Sequence, residues 1–206
     1  VDYACTRDFG FIVTNGRDYF SEEKRHARST VRPVEDGVPA FKLANVAADG
    51  RYRIDKTVLA DPARDVVLQR VVFTALDGGR DYRLFALLAP HLVNRGADND
   101  AWLGTYKGHE MLFASGSGNA MALACSATWR ARSVGFVGVS DGWQDLHQHF
   151  ALTWKYDSAR GGNVALVAEI DLSDGKNEFV IALGFGRRAE EAAHRIIGSL
   201  ADGFDA

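Results

Sequence analysis

Apolar residues in this chain recur with a period of two, in short runs that are each closed by glycine, asparagine or aspartate. The runs are "FGFIVT", "AFKLANVA", "YRIDKTVLA", "VVLQRVVFTAL", "YRLFALLAPHL", "AWLGTY", "EMLFAS", "AMALACSA", "RSVGFVGVS", "HFALTWKYD", "NVALVAEIDL" and "EFVIALGFG". Alternation of this kind puts every second side chain on one face of an extended strand, an order that a helical period would scatter. Between the runs lie "TNGRD", "ADGR", "LDGGRD", "SGSGN", "ARGGN" and "SDGK", which supply the positive φ angles of tight reversals. Strands joined by such short turns pair antiparallel, because a parallel pair needs a long crossover. About a dozen strands with turns throughout predict an all-β fold, a large two-sheet antiparallel β-sandwich or supersandwich.

One segment alone has helical spacing. "AEEAAHRIIGSLADGF" places Ala192, Ile196, Ile197 and Leu200 on one face, with Glu190 and Glu191 in its first turn and Gly198 and Gly203 toward its end. The sequence therefore divides into a sandwich over residues 1–186 and a C-terminal helical segment over 187–206.

Composition removes several classes of function. A formal charge of −3 gives no basic footprint for nucleic acid. The longest apolar runs, such as Leu84 to Ala89, are far shorter than a membrane-spanning helix, and no charged-then-apolar leader opens the sequence at Val1. The two cysteines, Cys5 and Cys125, are too few for a disulfide framework and read as buried thiols. No cofactor is expected: "GFGRRAEEA" has two of the three glycines of a dinucleotide fingerprint and follows an antiparallel-type strand.

The stretch "VGFVGVSDGWQDL", Val134 to Leu146, concentrates the residue types of a sugar-cleaving site: Asp141 and Asp145 with Trp143 and Gln144 beside them. The favoured reading is structural. Asp141 and Gly142 make a turn, Asp141 bonds the local backbone, and Trp143 covers one end of the core. His147 and His149, two apart on a strand, would share a face, yet with no third ligand at a telling distance they predict no metal site. In "VNRGADNDAWLGTYKG" the oxygens of Asp98, Asn99 and Asp100 lack the later bidentate acid of a calcium loop. Trp102, Tyr106 and Lys107 at the end of that loop are the candidates for contact with substrate. The charge-alternating "EEKRHARSTVR", Glu22 to Arg32, reads as a solvated strand or loop face. No Ser-His-Asp or Cys-His arrangement stands out, and residue types and spacing alone stop at a β-sandwich that is a binding or accessory module.

Seven motifs in order carry a resemblance. "CTRDFGFIVTNG", "FSEEKR", "GRYRIDKTVLADPARDVVLQRVVF", "LLAPHLVNRG", "WLGTYKG", "RSVGFVGVSDGWQDL" and "GNVALVAEIDL" resemble the N-terminal domain of bacterial glucoamylases and glucodextranases, inverting exo-acting α-glucosidases of glycoside hydrolase family fifteen. The resemblance runs the whole length. It implies a noncatalytic β-sandwich that precedes a linker and an α/α-barrel, with both catalytic glutamates in the barrel. It makes that barrel the expected partner, α-glucan the substrate of the parent, and Asp141, Gly142, Trp143, Gln144 and Asp145 a structural signature. It also implies further strands before the position of Val1, without which the sandwich keeps an unpaired edge. The competing reading is an independent carbohydrate-binding module with Trp143 or Trp102 as its stacking platform.

Overall fold

The computed structural model describes residues 3–79, 81–175 and 177–204; the expected domain limits at Val1 and Ala206 lie outside them. Among the described residues the order is β1 Thr6–Thr14, β2 Phe20–Glu22, α1 Glu23–His26, β3 Ala27–Pro33, β4 Ala40–Ala47, β5 Tyr52–Ala60, β6 Val66–Ala75 and β7 Arg83–Pro90. There follow β8 Asn99–Tyr106, β9 His109–Gly116, β10 Asn119–Cys125, β11 Trp129–Phe136, α2 Gly142–His149, β12 Ser158–Gly162, β13 Val164–Ile170, β14 Glu178–Gly186 and α3 Ala189–Asp202. All the pairings are antiparallel. They form a five-stranded sheet, β11-β13-β7-β1-β2, and a nine-stranded sheet, β12-β8-β9-β10-β14-β6-β5-β4-β3. The fold is the expected all-β sandwich with a C-terminal helix.

The main core lies between the sheets. Phe11, Val13, Leu84, Leu88 and Leu166 of the smaller sheet meet Ile54, Val71, Leu112, Leu123 and Ile181 of the larger. Each outer face carries one helix. On the larger sheet, Ala192 and Ile196 of α3 close over Val66, Leu68, Met111 and Ala182. Gly184 permits that approach, since a Cβ there would sit 2.6 Å from the Ala192 carbonyl oxygen. On the smaller sheet, Leu146 of α2 and Leu152 cover Ile12, Phe85 and Val167.

Strands β4 and β5 coincide with the quoted segments at both ends. Three expectations need correction. "DGWQDLHQHF" is a helix rather than a turn and strand, because Asp141 caps it; it is too short, with Leu146 its one buried large apolar residue, to show a helical period. "HFALTWKYD" consequently holds the end of α2 and an irregular segment, with no strand. The charged run from Glu22 to Arg32 forms the end of β2, the single turn α1 and most of β3; Arg28 to Pro33 of β3 are exposed as expected, but Glu23 is buried. Both cysteines are free thiols; burial pushes Cys125 up to about 12.

Candidate functional site

The candidate site is built around α2. Its N-cap is Asp141, whose Oδ1 accepts the backbone N–H groups of Trp143 at 2.8 Å and Gln144 at 3.1 Å, while Oδ2 accepts that of Gly138. Gly142 opens the helix against β13, where a Cβ would stand 2.2 Å from a Val167 methyl, so no larger residue fits this approach. One turn on, Asp145 is fully buried. Its Oδ2 accepts the N–H groups of Thr153 at 2.7 Å and Trp154 at 2.8 Å; its Oδ1 takes the Thr153 hydroxyl at 2.6 Å and lies 2.8 Å from His149 Nδ1. Both carboxylates are thus engaged by neighbouring donors, one starting the helix and the other tying it to the segment that follows.

Trp143 reaches back across the smaller sheet. Its indole N–H donates to Glu22 at 2.8 Å. His147 stacks on it with centroids 4.8 Å apart and planes 8° from parallel, and the Arg25 guanidinium lies 5.4 Å over the ring. Phe20 meets it edge-on at 5.5 Å. Trp143 therefore sits on the outer face of the smaller sheet, not at the end of the core. The two histidines, on a helix rather than a strand, go to different neighbours, His147 to Trp143 and Phe20, His149 to Asp145 and Trp154. Among the described residues no group of three or more His, Cys, Asp or Glu is placed to hold a metal ion. A cleft of about 460 Å³ runs beside α2, floored by Gly10, Leu87, Ala89 and Ala165 and rimmed by Arg7 and Gln144.

Trp102, Tyr106 and Lys107 lie on the opposite side of the molecule. Trp102 and Tyr106 share the outer face of β8, partly buried beside α3, and Trp102 stacks on Phe113 with centroids 5.5 Å apart. Lys107 and Gly108, at φ 49° and 84°, make the hairpin turn into β9, and the Lys107 ammonium lies 5.6 Å from the Tyr106 ring. The structure brings these three together and keeps them apart from Asp141 and Asp145. At the start of β8, not in a loop, Asn99 is buried, its amide donating to the carbonyls of Arg95 and Gly96, and Asp100 accepts from the Gly161 N–H.

Two buried carboxylates escaped the sequence reading. Glu23 Oε1 meets the Lys56 ammonium at 2.7 Å and the Asn45 amide, and its Oε2 accepts the Phe11 N–H at 3.1 Å. It joins the two sheets. Glu169 takes a two-pronged contact from Arg83 at 2.8 and 2.6 Å. Lys56 gave a signal for the first, since it falls between Ile54 and Val58 in the inward register of β5.

A two-sheet antiparallel sandwich with one helix on each outer face, and with its carboxylate-rich motif engaged as a helix cap and a loop anchor, defines a supersandwich-type β domain. The family model described as glucodextranase, domain N, matches residues 1–206. The chain belongs to this family, which bacterial glucoamylases share. A glucoamylase from Clostridium sp. (strain G0005) is 34% identical over 206 residues, all of this chain and 29% of that protein. The crystal structure of a bacterial glucoamylase complexed with acarbose superposes with a TM-score of 0.95 at 35% identity, over 99% of this chain and 30% of its own. The chain thus spans about three tenths of the length of these relatives. More distant, an inverting mannosidase from Bacteroides thetaiotaomicron, 9% identical, gives a TM-score of 0.50 over 79% of this chain and 20% of its own. An α-N-acetylgalactosaminidase from Bifidobacterium bifidum, 12% identical, gives 0.52 over 86% and 31%. At those identities the likeness is one of fold.

Proposed function

We propose that this chain is the noncatalytic β-sandwich domain of a glucoamylase-type, exo-acting, inverting α-glucosidase whose chemistry is performed by an α/α-barrel elsewhere in the protein. Its role is to pack against that barrel and shape the approach of an α-glucan. In this reading residues 1–186 form the sandwich, and 187–206 carry the helix that leads toward the linker. The observation that carries the proposal is the state of Asp141 and Asp145. They are the one carboxylate pair of the signature stretch, and the donors around them hold α2 and its following segment in place. An inverting pair must leave room for a water between its carboxyls and keep one of them free to take a proton from it. Glucose release from maltooligosaccharides, by the full-length protein and by these 206 residues prepared alone, tests the proposal. The full-length protein is expected to release glucose and the isolated chain none; release by the isolated chain overturns it.

The carbohydrate-binding module finds less support. A sugar platform presents a free aromatic face, whereas Trp143 is stacked by His147 and overlain by Arg25, and Trp102 is stacked on Phe113. If this domain contributes a contact to the sugar path, the hairpin bearing Tyr106 and Lys107 offers an aromatic ring and a hydrogen-bond donor together. Lys107→Ala in the full-length protein then raises KM for maltooligosaccharides with kcat unchanged; an unchanged KM removes Lys107 from the path.

A further inference from the structure

Alternation sends one side of β3, β4 and β5 toward the interior and leaves the other on the outer face of the larger sheet. Ile54 and Lys56 point inward, to the core and to Glu23, so Arg53, Asp55 and Thr57 point out. The register then sets Thr30 and Ala44 in one outward row with Asp55, and Arg32 and Lys42 in the next with Thr57. Arg32 and Lys42 are directly opposed. Their Cβ atoms stand about 5 Å apart, a like-charge juxtaposition that costs a sheet stability. Neighbouring cations on this face are matched: Arg53 forks onto both oxygens of Asp55 at 2.6 and 2.7 Å, and Arg70 has Glu178 at 3.7 Å. Among the described residues Arg32 and Lys42 have no acidic partner.

A groove of about 340 Å³ lies between the two rows, lined by Thr30, Arg32, Lys42, Ala44, Asp55 and Thr57. Ala44 forms its floor, the one methyl side chain among longer neighbours. Two cations and two hydroxyls converge over it. The Thr30 hydroxyl reaches the Ala44 carbonyl only at 3.5 Å, so its proton is available to a stronger acceptor. Asp55 does not repel an anion with its full charge, since both of its oxygens are held by Arg53.

A guanidinium beside an ammonium, with hydroxyl donors between, suits a phosphate monoester, which carries a charge of about −1.5 to −2 and three acceptor oxygens. The volume is that of a small-ligand pocket. The outward positions of β3, β4 and β5 also hold none of the exposed large apolar side chains from which the centre of a protein interface is built; Val31 and Phe41 fall on the other face. A small anionic ligand therefore fits this groove better than an acidic polypeptide.

We propose that the groove binds the phosphate monoester of a sugar. Arg32 and Lys42 share the phosphate, Thr30 and Thr57 donate to it, and the Arg53–Asp55 pair meets the sugar hydroxyls. That the sugar is a glucose unit rests on the glucoamylase reading; the anion seat does not. The phosphate has two sources, a free hexose phosphate or an ester on a glucan chain.

The test titrates the full-length protein calorimetrically with glucose 6-phosphate, and with a phosphorylated maltodextrin beside its phosphatase-treated form. Binding is expected, with Kd raised at least about tenfold by Arg32→Gln or Lys42→Gln. Lys155→Gln, which removes an exposed charge from the segment after α2 on the other layer, is expected to change Kd by less than about twofold. Binding of glucose 6-phosphate alone supports the free sugar phosphate as ligand; binding of the maltodextrin alone, lost on phosphatase treatment, supports the glucan ester. No binding of either probe overturns the proposal, as does a Kd that stays within about threefold in both groove variants. A polyglutamate peptide that binds more tightly than either phosphate probe overturns it too, and makes an acidic polypeptide the partner. Glucose release on the same samples separates the two readings: phosphate binding without activity sinks the enzyme assignment alone, and activity without phosphate binding sinks the groove alone.

Discussion

At the scale of single residues, Asp141 and Asp145 hold α2 and the segment after it through the donors around them. Asp145→Ala removes the buried acceptor of the Thr153 and Trp154 N–H groups, a loss of about 1–3 kcal/mol in urea unfolding; a loss below about 0.5 kcal/mol would contradict the geometry. Gly142→Ala drives a methyl into Val167 and is expected to lower the free energy of unfolding as well, by about 1–3 kcal/mol. Cys125 gives a chemical check. With Cys5→Ala to isolate it, the native thiol should react with a disulfide reagent at pH 8 roughly a thousandfold more slowly than free cysteine, because burial holds it protonated up to about 12. The sequence showed Asp141 as a local backbone acceptor because that role is written in Asp-Gly and the residues beside it. It did not show Asp145 as an anchor, because its partners Thr153 and Trp154 lie eight and nine residues on, across a segment whose alternation imitates a strand.

At the scale of elements, alternation and turn chemistry made most strands readable. Those missed were short or polar, β2 with three residues and β12 as "SARGG", while β3, exposed from Arg28 to Pro33, was legible only as a solvated strand or loop face. Helix α3 was legible because its apolar stripe meets a sheet. Its packing is testable at Ile196, fully buried over Gly184, where Ile196→Ala should lose about 2–5 kcal/mol. Its first turn responds to pH. The Arg187 backbone N–H, at 2.8 Å, holds the Glu191 carboxyl below its usual range, with Arg195 beside it. A depressed carboxyl contributes stability above its unfolded value and loses it as pH falls through the folded one. Glu191→Gln should therefore destabilise at pH 7, and the difference from the parent chain should shrink as pH falls below the usual glutamate range. A difference that persists in acid would assign the effect to packing.

At the scale of the whole molecule, the fold was legible from alternation and turns, and the proposed function only through resemblance to a family. Residue types at Asp141, Trp143 and Asp145 pointed to glycoside cleavage; the partners of the two carboxylates are the local donors that hold α2 and the segment after it. Charge and carboxylate spacing cannot separate the two, since the same side chains serve either end and only the donors around them decide. The central claim is that these carboxylates hold a domain together and take no part in cleavage. It is tested most directly by kcat for maltooligosaccharide hydrolysis in the full-length protein bearing Asp141→Asn and Asp145→Asn, measured at a temperature where circular dichroism shows it folded. The account predicts a kcat within about threefold of the unsubstituted protein, whereas a fall of about a hundredfold or more in the folded variant would place the pair in the chemistry and contradict it.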